Sequence, residues 1–214
     1  MLRYDQYVPA NVTDGAPLFV LLHGRGSHKG DMISLQPHLL PEAMVVSPEA
    51  PFPGAAWGYG PGWAWYRFTG HNRPEPESFA QSQQQLHSFL AELPGALPVK
   101  PGPIILGGFS QGGVMSLAYA LRNPGAVPFV VNFSGFLADH PSVHATAETV
   151  KGTRIFWGHG TQDPMIPFDL ALEGREQLRQ AGADLTARDY PIGHWIEGTE
   201  LQDVVSWLRQ EIRA

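Results

Sequence analysis

Five short apolar runs, none alternating cleanly between apolar and polar residues, constrain this chain more than any other feature. They are Leu18–Leu22, Met44–Val46, Ile104–Leu106, Phe129–Phe133 and Arg154–Trp157, with a sixth, Leu185–Tyr190, further on. A strand with one wet face alternates. A near-continuous run is buried on both faces, as in a parallel sheet covered by helices. Segments of helical period lie between the runs. Glu77–Leu93 sets Phe79, Leu86, Phe89, Leu90 and Leu93 on one face, opposite a Gln-rich one. Gly112–Arg122 carries Val114, Met115, Leu117, Ala118 and Leu121 and stops at Asn123-Pro124-Gly125. Phe168–Gln180 carries Leu170, Leu172 and Leu178, and Leu201–Ile212 carries Leu201, Val204, Val205, Leu208 and Ile212. This alternation predicts an α/β fold with a mostly parallel, doubly wound sheet and helices on both faces. No repeat or break in composition divides residues 1–214, so one domain is expected. No long helical insert separates the strands, so no large cap domain is expected.

Composition narrows the function. Charged residues make up 16% of the 214 and hydrophobic ones 43%, which excludes a disordered chain. The net charge is −6 and there is no basic stripe, which argues against a nucleic-acid partner. The chain has no cysteine, which removes disulfides, thiolate metal sites and a cysteine nucleophile together. The opening MLRYDQYVPA has no apolar h-region, and no apolar run approaches the roughly 20 residues of a membrane helix. A cytoplasmic protein without a transmembrane segment is expected; a homo-oligomer is left open.

In open α/β sheets ligands sit beyond the carboxyl ends of the strands, so chemistry is sought there. The third run is followed by Gly107-Gly108-Phe109-Ser110-Gln111-Gly112-Gly113 and then a helix. This is G-x-S-x-G at a strand–turn–helix corner. Such a corner exposes the Ser110 hydroxyl, and Gly108 and Gly112 leave room for crowded backbone. The helix N-terminus beneath favours developing negative charge. A serine used this way needs a base, and the base needs an orienting acid, here in the order Ser, Asp or Glu, His. The fifth run leads into Gly158-His159-Gly160-Thr161-Gln162-Asp163-Pro164, and the sixth into Pro191-Ile192-Gly193-His194-Trp195. Asp163 and His194 therefore stand where the acid and base belong. Asp184 and Asp189 compete for the acid role, but Asp189 lies within a strand. His159 competes with His194, but it precedes Asp163.

The first run is followed by His23-Gly24-Arg25-Gly26-Ser27, whose small residues let backbone approach a substrate carbonyl. Gly24, Gly26 and Gly30 are also a near miss to a dinucleotide fingerprint, with Glu49 as the ribose acid. On that alternative the chain is a nucleotide-binding oxidoreductase, which cofactor absorbance on purification would reveal. The spacing is G-x-G-x-x-x-G, not G-x-G-x-x-G. His23, His28 and Asp31 match no standard metal spacing, so no metal is expected.

Taken together, Leu22-His23-Gly24, the Gly107–Gly113 stretch, His159-Gly160 with Asp163-Pro164, and Gly193-His194 resemble the phospholipase/carboxylesterase family of α/β-hydrolases. That group includes acyl-protein thioesterases and small bacterial carboxylesterases, and the resemblance runs from about Leu18 onward. It implies Ser110 as nucleophile, Asp163 as orienting acid and His194 as base. It also implies the backbone N–H groups of Arg25 and Gln111 as oxyanion donors. The implied activity is hydrolysis of a small-molecule carboxylic ester, a thioester or a lysophospholipid, with no cofactor. Arg25 departs from the small apolar residue usual after His-Gly, and the aromatic loop around Trp57–Tyr66 departs from the thioesterase pattern. A non-catalytic binding protein on the same fold is the other alternative; such proteins commonly lose one of the three residues that this chain keeps.

Ser47–Pro76 is too long and aromatic for a plain connection, and long loops in compact domains are usually functional. Trp57, Trp63, Trp65, Phe136, Met165, Ile166 and Trp195 are candidates to line the substrate pocket, with core packing under the loops as their other use.

Overall fold

Parity along the apolar runs decides the layering. The computed structural model describes residues 1–212. Its strands are β1 (Tyr4–Tyr7), β2 (Leu18–Leu22), β3 (Met44–Pro48), β4 (Phe52–Pro53), β5 (Trp63–Ala64), β6 (Ile104–Phe109), β7 (Phe129–Phe133), β8 (Arg154–Gly160) and β9 (Asp184–Tyr190). Its helices are α1 (Lys29–Ile33), α2 (Pro76–Ala96), α3 (Gln111–Arg122), α4 (Phe168–Gln180) and α5 (Gly198–Glu211). Leu18, Val20, Leu22, Leu106, Val130 and Trp157 face α2, α3 and α4 in one core. Phe19, Leu21, Ile105, Val131, Phe133 and Phe156 face α1 and α5 in the other. Every central strand thus serves two cores, which is why none alternates in sequence.

The seven-stranded sheet runs β1-β3-β2-β6-β7-β8-β9, with all pairs parallel except β1 with β3. From β2 the chain moves outward to β3, and from β6 it moves the other way to β7. The strand order therefore reverses between β2 and β6, and the loops that follow these two strands open a crevice at that switch point.

The expected elements form, with shifts at their ends. α2 runs past Leu93 through Pro94 to Ala96; a proline in the last turn removes only a bond near the fraying end. In α4 the buried face is Leu170, Ala171, Gly174, Arg175 and Leu178, so Leu172, expected on the apolar face, is exposed. β1 (YDQY) carries too little apolar sequence to register as a strand. Its antiparallel pairing with β3 supplies the order that composition does not. Part of the Ser47–Pro76 loop folds as the small β4–β5 hairpin. Among the described residues no helix is long and apolar enough to cross a membrane.

Candidate active site

The corner after β6 is built from close backbone contacts. Ser110 has φ 53° and ψ −116°, a left-handed conformation that costs a non-glycine residue strain and persists only where surrounding structure enforces it. A Cβ on Gly112 would collide with the Leu22 carbonyl, and one on Gly108 with the Gly112 backbone. The corner is thus wedged against β2, and Ser110 N–H is tied to the Phe133 carbonyl at 2.8 Å.

The turn after β8 and the loop after β9 converge on it. Asp163 is 8% exposed. Its Oδ1 accepts from the Met165 and Ile166 N–H groups at 2.8 and 2.9 Å. Its Oδ2 accepts from His194 Nδ1 at 2.6 Å. On the far side of the ring, the Ser110 hydroxyl donates to His194 Nε2 at 2.9 Å. The imidazole also packs on the Phe109 ring, with centroids 4.7 Å apart. Asp163 thereby fixes which His194 nitrogen carries the proton and leaves the other free to accept one. An Oγ–Nε2–Nδ1–Oδ2 relay of this kind can move a proton from the hydroxyl as it attacks a carbonyl.

The competitors have other hydrogen-bond or charge partners. His159 is fully buried and bonds the Ile166 carbonyl at 3.0 Å, and burial pushes its imidazole below the usual range. It braces the turn that carries Asp163. Asp189 pairs with buried Arg175 at 2.5 Å, and Asp184 lies near Arg154 at the other end of the sheet. His23 is buried and held down to about 4 chiefly by desolvation; its Nε2 accepts from Ala50 N–H at 3.0 Å. His28 accepts from Gly30 N–H, and Asp31 accepts from the Ser27 hydroxyl. The two glycines after His23 serve close packing: Gly24 against Phe109, and Gly26, at φ +78°, against the Tyr59 carbonyl. Glu49, the acid of the nucleotide alternative, is buried and paired with Arg3 at 2.6 Å.

The Arg25 and Gln111 backbone N–H groups have no hydrogen-bond partner among the described residues. One belongs to the loop after β2 and the other to the first turn of α3, on the two sides of the switch point. The Gln111 side chain has a use that sequence reasoning missed. Its Oε1 accepts from Trp65 N–H at 2.8 Å and its Nε2 donates to the Tyr66 carbonyl at 2.7 Å, clamping the aromatic loop to the corner.

The cleft over Ser110 is lined by Arg25, Tyr66, Phe68, Gln111, Phe136, Met165, Ile166 and His194. Phe136, Met165 and Ile166 were expected there; Tyr66 and Phe68 were not. Trp65 must be corrected. It is fully buried and donates its indole N–H to the His23 carbonyl at 2.9 Å, so it braces the loop from beneath. Trp63 stands outside the cleft, with the Arg3 guanidinium 4.7 Å over its ring and its backbone bridged to Ser27. Trp195 is 55% exposed and lines a second groove, beside His194, with Phe109 and Ile196. Trp57 packs on Phe52 and Tyr59.

Comparison with known proteins agrees with this architecture. The phospholipase/carboxylesterase family model matches residues 6–212. A probable carboxylesterase of Arabidopsis thaliana, SOBER1-like, is 30% identical over 149 residues, 68% of this chain but only 56% of the plant protein's length. Acyl-protein thioesterase 1 of Candida albicans is 28% identical over 220 residues, covering 94% of this chain and 95% of the yeast protein. The crystal structure of esterase PE8 matches with a TM-score of 0.83 and 27% identity over 98% of both chains. The chain therefore belongs to the phospholipase/carboxylesterase family and has the α/β-hydrolase fold.

Proposed function

We propose that this protein hydrolyses carboxylic esters through an acyl-enzyme formed on Ser110. The observation that carries this is the continuous relay from Ser110 Oγ through His194 to Asp163, anchored on a strained corner. Ser110 attacks the ester carbonyl while His194 Nε2 takes its proton. The Asp163 carboxylate stabilises the imidazolium that forms. The Arg25 and Gln111 N–H groups bind the oxyanion; a single donor of this kind is typically worth about 10²–10³ in rate. His194 then returns the proton to the leaving alcohol. Water, activated by the same histidine, releases the acid and regenerates Ser110. No step needs a cofactor or a metal.

A thioester follows the same route with a thiol leaving, and the names of the relatives include both carboxylesterases and an acyl-protein thioesterase. The test is a panel of p-nitrophenyl esters of graded chain length, with an acyl-CoA and a lysophospholipid alongside, run on wild type and Ser110→Ala. Hydrolysis that disappears in Ser110→Ala supports the reading. No turnover of any ester, or full turnover by Ser110→Ala, would overturn it.

A further inference from the structure

Among the described residues Arg25 alone of the cleft lining carries a permanent charge, and no carboxylate lies within ion-pairing distance of it. Its guanidinium stacks 4.7 Å over the Tyr59 ring and 5.9 Å from the Phe68 ring. That stack is prepared by the fold. Gly26 packs against the Tyr59 carbonyl, Gly26 N–H donates to the Trp63 carbonyl at 2.8 Å, and the Tyr59 hydroxyl accepts from Phe68 N–H at 2.8 Å. An arginine held on an aromatic face keeps its N–H edges free for a planar anion and loses little further freedom on binding one. Tyr66 lines the same wall. It is buried, burial pushes its phenol up so that it stays a neutral donor, and among the described residues no hydrogen bond engages the hydroxyl.

Building on the hydrolase reading above, we propose that Arg25 makes this protein selective for esters carrying a carboxylate within a few bonds of the scissile carbonyl. The spacing follows from the residue itself. On the hydrolase reading its backbone N–H, unpartnered among the described residues, binds the oxyanion while its side chain lines the same cleft, so one residue would meet both the carbonyl and the anionic end of the substrate. Among the described residues that line the cleft there is no Asp or Glu to repel such a group. The carboxylate could belong to the acyl half or to the alcohol half.

The experiment compares charged and uncharged partners of similar shape in a pH-stat. Monomethyl glutarate against methyl valerate places the charge on the acyl half. β-Butyryloxypropanoate against isoamyl butyrate places it on the alcohol half. The readout is the charged-to-uncharged ratio of kcat/KM within each protein, which cancels any effect on the oxyanion donor. The wild-type ratio is expected to exceed one for one pair. Arg25→Met should lower it about tenfold, or 1.4 kcal/mol. Arg25→Lys should retain part of the preference, and about 0.5 M KCl should reduce it in wild type but not in Arg25→Met. A ratio at or below one for both pairs, or an unchanged ratio in Arg25→Met, would overturn the proposal. Turnover of none of the four esters, with no fluorophosphonate label on Ser110, would overturn the hydrolase reading and this inference with it.

Discussion

Replacing Asp163 by Asn tests the relay through its protons. The two oxygens of Asp163 have different tasks: Oδ1 accepts from Met165 and Ile166 N–H, and Oδ2 accepts from His194. An asparagine must keep its carbonyl on the Met165–Ile166 side. Turned over, its NH₂ would face two N–H donors and leave both amides unsatisfied, at about 1–3 kcal/mol each. The NH₂ therefore faces His194 Nδ1, which must become an acceptor. The proton moves to Nε2, which then donates to Ser110 Oγ when it should accept. The expected loss is on the order of 10⁴ in kcat, about 5.4 kcal/mol of barrier, with the fold retained. Turnover of p-nitrophenyl butyrate measures the loss, and circular dichroism with a urea midpoint checks the fold. Asp189→Asn is the control. It removes the carboxylate charge paired with buried Arg175, whose other bonds go to the Trp157 and Arg188 carbonyls, and should cost stability, while activity per folded molecule stays within a few-fold. Asp163→Asn within tenfold of wild type, or folded Asp189→Asn falling as far, would refute the assignment.

Glu200 is 1% exposed, its Oε1 has no partner among the described residues, and burial pushes its carboxyl up from 4.5 to about 8. A raised acid contributes stability that is full below 4.5 and is lost as pH rises through about 8. The stability of Glu200→Gln relative to wild type should therefore climb by about 1.4 kcal/mol per pH unit between those limits; a difference that stays flat across urea titrations at several pH values would contradict this. Gly112→Ala drives a methyl into the Leu22 carbonyl and should cost about 1–3 kcal/mol together with most of the activity. Gly95→Ala, in open space within α2, should be neutral or stabilising by up to about 1 kcal/mol in the same denaturation assay.

Much of the fold was legible because burial on both faces leaves a mark in sequence: the central strands are unbroken apolar runs. β1 left no such mark, since an edge strand of Tyr, Asp and Gln gains its order from a neighbour far along the chain. Ser110, Asp163 and His194 stood out through their order after the ends of β6, β8 and β9, and they meet in space because these parallel strands end at the same edge of one sheet, with only β7 between β6 and β8. The cleft lining was harder to read. Loop side chains point where tertiary contacts send them, so Trp65 turns under the loop to His23, whereas Tyr66 and Phe68 line the cleft. The second role of Gln111 was hidden for the same reason, because its partners lie more than forty residues away in sequence.

The central claim is that Ser110, activated by His194, is the nucleophile. Fluorophosphonate labelling followed by peptide mass spectrometry tests it most directly, on wild type, Ser110→Ala and His194→Ala. The account predicts one modified peptide, carrying the adduct on Ser110, in wild type; no label in Ser110→Ala; and labelling slowed by orders of magnitude in His194→Ala. An adduct on any other serine, or labelling of His194→Ala at the wild-type rate, would contradict it.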